Sequence, residues 1–335
     1  MINTAIAKLA AGQNLAGTET HEAFDQIMSG GATNAQIAAF ITAMRMKGET
    51  IDEITACAQV LREKCSRIHT QDDVLDIVGT GGDCANTFNI STTSAFVISA
   101  AGQPVAKHGN RSVSSKSGAA DVLEALGVKI DLPAEKNEEL LQKINLCFLF
   151  AQSCHASMRY AGPVRKEIGI RTIFNIIGPL ANPAFASLQL LGVYQKELVL
   201  PLARVLSNLG VKRGIVVYGN DGLDEVTVSA TNTMAEINNG KVTEYIFDPA
   251  DLGFKRCSKA DLVGGDAQEN AQITTNILNG TERGSKRDAV VLNSAVSLYL
   301  GGKGSIKECA ALAEETIDSG RAYEKLQQLV KLSTM

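Results

Sequence analysis

This sequence of 335 residues lacks the features that direct a chain into a membrane or a secretory pathway. A membrane-spanning helix needs about 18 or more consecutive apolar residues, and the densest apolar run, residues 146–151, is far shorter. The N-terminus begins Met1-Ile2-Asn3-Thr4 and has no basic segment followed by an apolar one, so we expect no signal peptide. These absences lead us to expect a cytoplasmic protein with no membrane partner.

Clustered metal-binding residues are also lacking. The seven cysteines and four histidines are dispersed along the chain, and no two cysteines have the two-residue spacing that is typical of zinc sites. We therefore expect no structural zinc. The odd number of cysteines favours reduced thiols in a cytoplasm.

Positive charge is not in excess. Lys and Arg number 32 against 36 for Asp and Glu, which gives a net charge of −4, and the pI is about 5.7. A protein that coats nucleic acid needs a basic face, so we expect no nucleic-acid partner. The 45% of hydrophobic residues is enough for a full core, which excludes disorder, collagen and coiled coil as descriptions of the whole chain.

The first seventy residues have a helical pattern. Thr33 with Gln36 and Thr50 with Glu53 have the spacing of capping boxes, in which two side chains satisfy free N–H groups at a helix start. Apolar residues at helical spacing follow each box. We predict a small all-helical domain over residues 1–70, to which helices from about 160–185 contribute.

From Val74 onward short apolar runs alternate with helical stretches. Such alternation predicts a large α/β domain over residues 71–335, with a mostly parallel central sheet covered on both faces. The predicted strands lie in the runs 74–78, 105–106, 146–151, 188–193, 214–218 and 289–292.

A glycine-rich segment follows the first predicted strand directly: Gly79-Thr80-Gly81-Gly82-Asp83. Glycines allow the backbone to approach a ligand closely and leave N–H groups free to bind an anion. A plain strand-to-loop turn is the alternative. The segment is not a dinucleotide-binding motif, because Cys84 stands where that motif needs glycine, and no P-loop lysine follows.

Two more polar segments follow predicted strands or precede predicted helices. Residues 89–93, Asn-Ile-Ser-Thr-Thr, are either simple N-cap residues or an anion site at a helix N-terminus. Residues 107–118 carry three fixed positive charges and many hydroxyls, which fit a solvated loop or a phosphate site. Open α/β sheets bind ligands at the carboxyl ends of their strands, which favours the functional interpretation.

Charged clusters occur in two further places. Asp224 and Glu225 are adjacent carboxylates after another predicted strand, and they are either solvated or able to hold Mg²⁺ together with substrate phosphates. A second basic cluster contains Arg159, Arg165, Lys166 and Arg171. Because some of these cations must pair within the protein, we expect only one or two to face a ligand.

The order and spacing of these segments over nearly the whole chain resemble those of the anthranilate phosphoribosyltransferases, glycosyltransferases of the pentosyl class. The resemblance implies transfer of the 5-phosphoribosyl group from phosphoribosyl pyrophosphate (PRPP) to anthranilate, a step of tryptophan biosynthesis. It also implies two Mg²⁺ ions per monomer as cofactor. Finally, it implies a homodimer in which the helical and α/β domains meet at a hinge.

The resemblance also implies site residues. Those for PRPP are Gly79, Gly82, Asp83, Thr87, Asn89, Ile90, Ser91, Thr92, Lys107, His108, Gly109, Asn110, Arg111, Ser112, Val113, Ser114, Ser115 and Ala119. Those for anthranilate are Gly79, Asn110 and Arg165, with Arg165 facing the carboxylate. Those for the metal are Ser91, Asp224 and Glu225. No general base is named, because the aromatic amine of anthranilate is already a neutral nucleophile.

This chain departs from the family pattern in two places. Ala119 stands where the family often has a serine, which removes a side-chain contact with the phosphates. Residues 152–158 lack the usual prolines on either side of His155, which affects the outer part of the acceptor tunnel. Two rival functions stay open: a nucleoside phosphorylase of related architecture, and a non-catalytic relative that binds nucleic acid.

Overall fold

The computed structural model describes residues 1–112 and 116–335. The chain begins with four helices: α1 (Ile2–Ala10), α2 (Gly17–Met28), α3 (Asn34–Lys47) and α4 (Ile51–Glu63). Both capping boxes are confirmed, since the Thr33 and Thr50 hydroxyls accept the backbone N–H groups of Gln36 and Glu53.

Seven strands form one sheet in the described part of the chain. They are β1 (Leu75–Gly79), β2 (Val105–Gly109), β3 (Leu146–Phe150), β4 (Leu188–Gly192), β5 (Arg213–Gly219), β6 (Asn232–Asn238) and β7 (Lys241–Phe247). Their order across the sheet is β3-β2-β1-β4-β5-β6-β7. The first five strands are parallel, and β6 and β7 are antiparallel to their neighbours.

Helices cover both faces of this sheet. They are α5 (Ile90–Ala100), α6 (Ala119–Ala125), α7 (Ala134–Ile144), α8 (Ala151–Cys154), α9 (Gly162–Ile168), α10 (Phe174–Ile177), α11 (Val199–Asn208), α12 (Ala267–Leu278), α13 (Ser285–Leu300), α14 (Ile306–Asp318) and α15 (Arg321–Ser333). Side chains alternate along a strand, so Leu190 and Leu191 of β4 belong to opposite apolar cores. The predicted fold class, a helical N-terminal domain with a mostly parallel α/β domain, is confirmed.

Two predictions about the sheet were wrong or incomplete. The run 289–292 is not a strand but lies inside α13, a 16-residue helix packed against α5 and α14. The sequence of a helix that is buried on most sides contains a continuous apolar run, and periodicity alone cannot distinguish such a run from a strand. The β6–β7 hairpin was missed, although Asn239-Gly240, with φ angles of +47° and +87°, is a strong hairpin signal.

Short helices after β3 return to the N-terminal helices. α9 packs against α3, and α10 packs against α4. The Phe24 and Phe174 rings, from α2 and α10, lie 5.4 Å apart between centroids. The segment that carries Arg165 therefore shares its core with α1–α4 and with α11. No helix in residues 1–112 and 116–335 has the length and apolar character needed to cross a membrane.

Glu53 connects three parts of the helical layer. Its fully buried carboxylate accepts hydrogen bonds from Lys47 Nζ and Thr50 N, both at 2.8 Å, and from Leu15 N at 2.9 Å. The Lys47 side chain is itself only 5% exposed. Removing one partner of a buried pair leaves the other charge uncompensated, which typically costs about 3–5 kcal/mol.

We therefore expect Glu53→Ala to lower the free energy of unfolding by about 3–5 kcal/mol in urea titrations. Asp52→Ala is the matched control, since Asp52 is exposed in the same first turn of α4 and should cost less than about 1 kcal/mol. Equal losses in the two variants would contradict a buried ion pair.

Candidate active site

The loops at the carboxyl edge of the sheet enclose one cavity of about 620 Å³. Every described residue that the resemblance assigned to a ligand lines it: Gly79, Gly82, Asp83, Thr87, Asn89, Ile90, Ser91, Thr92, Lys107, His108, Gly109, Asn110, Arg111, Ser112, Ala119, Arg165, Asp224 and Glu225. Val113, Ser114 and Ser115 lie outside the described residues. The structure thus brings together segments that are far apart in the sequence.

The glycine loop begins where β1 ends. The backbone N–H of Gly81 donates to Asp224 Oδ2 at 2.6 Å, and that of Thr80 donates to the carbonyl of Gly192 at 2.9 Å. A Cβ on Gly79 would overlap Asp224 Oδ2. Glycine is required at this position because the carboxylate packs directly on the strand end.

The N-terminus of α5 also lies on the cavity. Asn89 occupies the N-cap position without making a side-chain capping bond to any described residue. Its amide instead donates to the Ser117 carbonyl at 3.2 Å, and its oxygen accepts from Asn270 at 2.9 Å. The simple N-cap interpretation is therefore wrong for Asn89. The backbone N–H of Ile90 donates to the Phe88 carbonyl at 2.7 Å and that of Ser91 donates to Glu225 at 3.2 Å. The first turn of α5 therefore offers the cavity mainly the positive end of the helix dipole.

Lys107 is a buried cation in the middle of β2, with 3% of its surface exposed. Its Nζ donates to the carbonyl of Ile77 at 2.7 Å and to Ser91 Oγ at 3.3 Å. Burial lowers the pKa of Lys107, while the negative charges of Asp76 and Glu225 oppose that change. The ammonium thus lies among neutral oxygens and nearby carboxylates beside the N-terminus of α5.

Arg111 differs from Lys107 because its charge is already paired. Two of its nitrogens contact the Glu124 carboxylate at 2.5 and 2.9 Å, and one contacts Asp121 at 3.1 Å. Asp121 also accepts the backbone N–H groups of Ser112 and Gly118. The Arg111 side chain therefore holds the loop after β2 against α6, and the backbone of that loop lines the cavity.

Asp224 and Glu225 bring two like charges close together. Asp224 is buried, and Glu225 is partly accessible from the cavity. Burial and the neighbouring Asp83 raise the pKa of Asp224 to about 7. Burial and the charge of Asp224 raise the pKa of Glu225 to about 8. Glu225 also accepts the N–H of Ser91 at 3.2 Å. A cation in this place would relieve the repulsion.

Arg165 provides the second positive group of the cavity. Its guanidinium lies 4.9 Å from the centre of the Phe174 ring, and burial lowers its pKa. Within residues 1–112 and 116–335 it makes no ion pair, not even with Glu167 two residues further along the chain. A guanidinium that makes no ion pair and lies beside an aromatic ring suits a planar carboxylate ligand.

Two imidazoles and an apolar surface complete this side of the cavity. The His108 and His155 rings meet edge to face with centroids 5.1 Å apart. Burial lowers the pKa of His155 to about 4 and that of His108 well below its ordinary value, so both rings are neutral at pH 7. Apolar lining comes from Leu61, Val78, Met158, Phe174 and Ile177.

The sequence reasoning noticed Arg171 but assigned it no role. In the structure its guanidinium donates to the Gly82 carbonyl at 2.5 Å and lies 4.2 Å from the centre of the Tyr194 ring. It therefore connects the segment after α9 with the glycine loop. His155, Asn175 and Tyr194 also line the cavity without having been assigned. In the sequence, the only indication that Arg171 belongs to the site is its place in the second basic cluster.

Comparisons with known proteins agree with this geometry. Residues 71–323 match the family described as glycosyl transferase family, a/b domain, and residues 3–65 match its helical bundle domain. The anthranilate phosphoribosyltransferase of Ruminiclostridium cellulolyticum is 60% identical over 334 residues, covering 99% of this chain and 98% of the relative. That of Endomicrobium trichonymphae is 57% identical, with 99% of each chain covered.

Solved structures give the same result. The anthranilate phosphoribosyltransferase of Thermus thermophilus superposes with a TM-score of 0.93 at 40% identity, covering 99% of both chains. The enzyme from Saccharomyces cerevisiae in complex with PRPP and Mg superposes with a TM-score of 0.91 at 28% identity, covering 99% of this chain and 98% of the other. The chain therefore belongs to the anthranilate phosphoribosyltransferases.

Proposed function

We propose that the cavity at the carboxyl edge of the sheet is where this protein transfers the 5-phosphoribosyl group of PRPP to the amine of anthranilate. The products are N-(5-phosphoribosyl)anthranilate and pyrophosphate, and the reaction is the second step from chorismate to tryptophan. One observation carries the proposal. A single cavity joins a glycine loop, the N-terminus of α5, Lys107, an acid pair and Arg165.

The donor substrate would occupy the phosphate-binding part of this cavity. The glycine loop over residues 79–83 allows phosphate oxygens to approach the backbone closely, and the N-terminus of α5 directs the positive end of its dipole at them. Lys107 adds a buried positive charge next to Ser91. Ala119 begins α6 and offers a backbone contact in place of the serine hydroxyl that it lacks.

Magnesium would be held by Ser91, Asp224 and Glu225, and we propose two ions. Burial first, and then neighbouring carboxylates, raise the pKa values of Asp224 and Glu225, and a divalent cation beside them would stabilise their ionised forms. The described residues contain no group of three or more His, Cys, Asp or Glu side chains able to hold a metal alone. Mg²⁺ commonly uses one or two carboxylates plus substrate phosphates, so this site fits an ion that binds together with PRPP. Bound Mg²⁺ supplies positive charge to the leaving pyrophosphate.

Anthranilate would bind between Gly79, Asn110 and Arg165. The guanidinium can pair the carboxylate through two parallel hydrogen bonds, which fixes the plane of the ring. The neutral imidazoles of His108 and His155 and the apolar lining suit an uncharged aromatic ring. The amine of that ring can then be held toward the sugar without a charged neighbour that competes for it.

The mechanism follows from where charge develops. When pyrophosphate leaves C1 of the ribose, negative charge grows on the leaving group and positive charge on the sugar. Lys107 and the positive end of the α5 dipole are preorganised for the negative charge on the leaving group. Because the amine is a neutral nucleophile, no side chain has to act as its base. Positioning and electrostatics would supply most of the rate.

We also propose the domain division, association and location that the resemblance implies. A helical domain of residues 1–70, with helices from about 160–185, would move at a hinge against residues 71–335, and the shared core of α9 and α10 with α1–α4 supports this division. A homodimer would bury exposed Met46 and Ile170 of the helical layer, and light scattering would give twice 35.5 kDa. All seven cysteines are free thiols, which supports a cytoplasmic location.

The purified protein should consume anthranilate only when PRPP and Mg²⁺ are both present. Loss of anthranilate fluorescence measures the reaction directly, and omission of either component should stop it. Cleavage of nucleosides in the presence of inorganic phosphate, with no consumption of anthranilate, would favour the phosphorylase rival instead.

Replacing both acids, Asp224→Asn with Glu225→Gln, should abolish turnover at ordinary Mg²⁺ concentrations. The reason is that neutral amides cannot hold a cation that gives up its water reluctantly. Asp251→Asn serves as a control, because Asp251 is exposed and does not line the cavity. Near-normal rates of the double variant across a Mg²⁺ titration would refute the metal assignment.

Arg165→Ala should raise the KM for anthranilate about ten- to a hundredfold and leave the KM for PRPP nearly unchanged. Hydrogen bonds to charged groups contribute about 1.5–3 kcal/mol, which corresponds to that factor. Arg165→Lys should restore only part of the affinity, because lysine keeps the charge and loses the planar fork.

Lys166→Ala is the matched control, since Lys166 is the exposed neighbour on the same helix. An unchanged anthranilate KM in a well-folded Arg165→Ala protein would remove Arg165 from the acceptor site. Loss of affinity for both substrates together would indicate that Arg165 only holds its loop.

A further inference from the structure

The ladder between the neighbouring strands β1 and β2 is incomplete on the side toward the cavity. Across the described strands a single register pair, Leu75 with Val105, joins β1 to β2. By contrast, β1 and β4 share five register pairs, from Leu75–Leu188 to Gly79–Gly192. Buried backbone N–H and C=O groups almost always have partners. The backbone N–H and C=O groups of β1 and β2 beyond this single pair must therefore bond to other partners.

Side chains of these strands supply part of the missing ladder. Asp76 Oδ1 accepts the backbone N–H of His108 at 3.1 Å. Lys107 Nζ donates to the carbonyl of Ile77 at 2.7 Å. Each bond joins β1 to β2 through a side chain in place of a direct backbone bond.

A third side chain enters from outside the sheet. Asn182 is 1% exposed, and its Nδ2 donates to the carbonyl of Ala106 on β2 at 2.8 Å. Its Oδ1 accepts the backbone N–H of Ala184 at 2.8 Å, which fixes the orientation of the amide. Asn182 therefore occupies a backbone acceptor of β2 that a neighbouring strand would otherwise use.

Asp76 is also a negative charge on the neighbouring strand that acts on Lys107. Its side chain is 0% exposed. Burial raises the pKa of Asp76 to about 6, and the Lys107 charge and the Asn182 amide work in the opposite direction. The two charges thus attract each other across β1 and β2, while Lys107 Nζ also reaches Ser91 Oγ at 3.3 Å on the cavity side.

We propose that Asp76 and Asn182 are positioning residues, which take the place of missing backbone bonds along β1 and β2 and keep the Lys107 ammonium at the pyrophosphate end of the cavity. Neither belongs to the described lining of the cavity, so both act through Lys107 and the β2 backbone. The inference rests on the proposed binding of PRPP at Lys107.

The test compares PRPP binding by calorimetry in the presence of Mg²⁺. The amide oxygen of Asp76→Asn can still accept the His108 N–H, but the charge opposite Lys107 is lost. We expect the Kd for PRPP to rise about tenfold or more, with the anthranilate KM changed less than about twofold. Asp73→Asn is the matched control, because Asp73 is exposed and pairs with Lys212 at the surface, and its Kd should not change.

A double-mutant cycle separates positioning from general structural damage. In a Lys107→Met background, Asp76→Asn should weaken PRPP binding less than about twofold, because its effect depends on the lysine. The same loss with and without Lys107 would overturn the inference. So would equal weakening of both substrates by Asp76→Asn.

A second variant protects the test against misfolding. If Asp76→Asn does not fold, Asn182→Ser is measured in the same way and should weaken PRPP selectively. The parent protein is measured first. A parent that does not bind PRPP refutes the proposed function and this inference together. A parent that binds PRPP, with Asp76→Asn binding equally well, overturns only the positioning role.

Discussion

The site depends on close packing between Asp224 and the glycines that end β1 and β4. A Cβ on Gly79 would overlap Asp224 Oδ2, and one on Gly192 would overlap the Asp224 carbonyl oxygen. Neither strand end has room for a side chain, so only glycine fits there. This contact places the loop after β5 directly over the sheet edge, and it brings Glu225 to the first turn of α5. The glycine loop is held in the same way, through Gly81 N.

The packing around Asp224 buries charged groups, and this burial determines how the cavity can bind ions. Burial and neighbouring carboxylates disfavour the ionised forms of Asp224 and Glu225, and burial disfavours the charged form of Lys107. The uncharged forms would bind neither Mg²⁺ nor phosphate well. Because a cation and an anionic substrate stabilise the ionised forms together, binding of one should favour binding of the other. The ionised forms of these side chains thus depend on the opposite charges of the bound ligands.

The location of the site could be predicted from the sequence because carboxyl ends of parallel strands meet at one edge. Polar segments after β1, β2 and β5 were therefore expected to converge, and they do. The sequence could not show which side chains are already paired. Arg111 looked like a ligand cation, but Glu124 and Asp121 neutralise it, and that depends on how α6 packs. The strand assignment of residues 289–292 failed because burial on several sides removes the polar face from which a helix is recognised.

The two halves of the cavity belong to different cores. Lys107 lies on β2, whose apolar residues Val105 and Ala106 pack in the core beneath α5, whereas Arg165 lies on α9, which shares its core with the N-terminal helices. Arg171 connects these halves, since it follows α9 in the chain and donates to Gly82 in the glycine loop. That loop is also where donor phosphates are proposed to bind. A change in the glycine loop on phosphate binding would therefore reach the segment after α9 through the Arg171–Gly82 hydrogen bond.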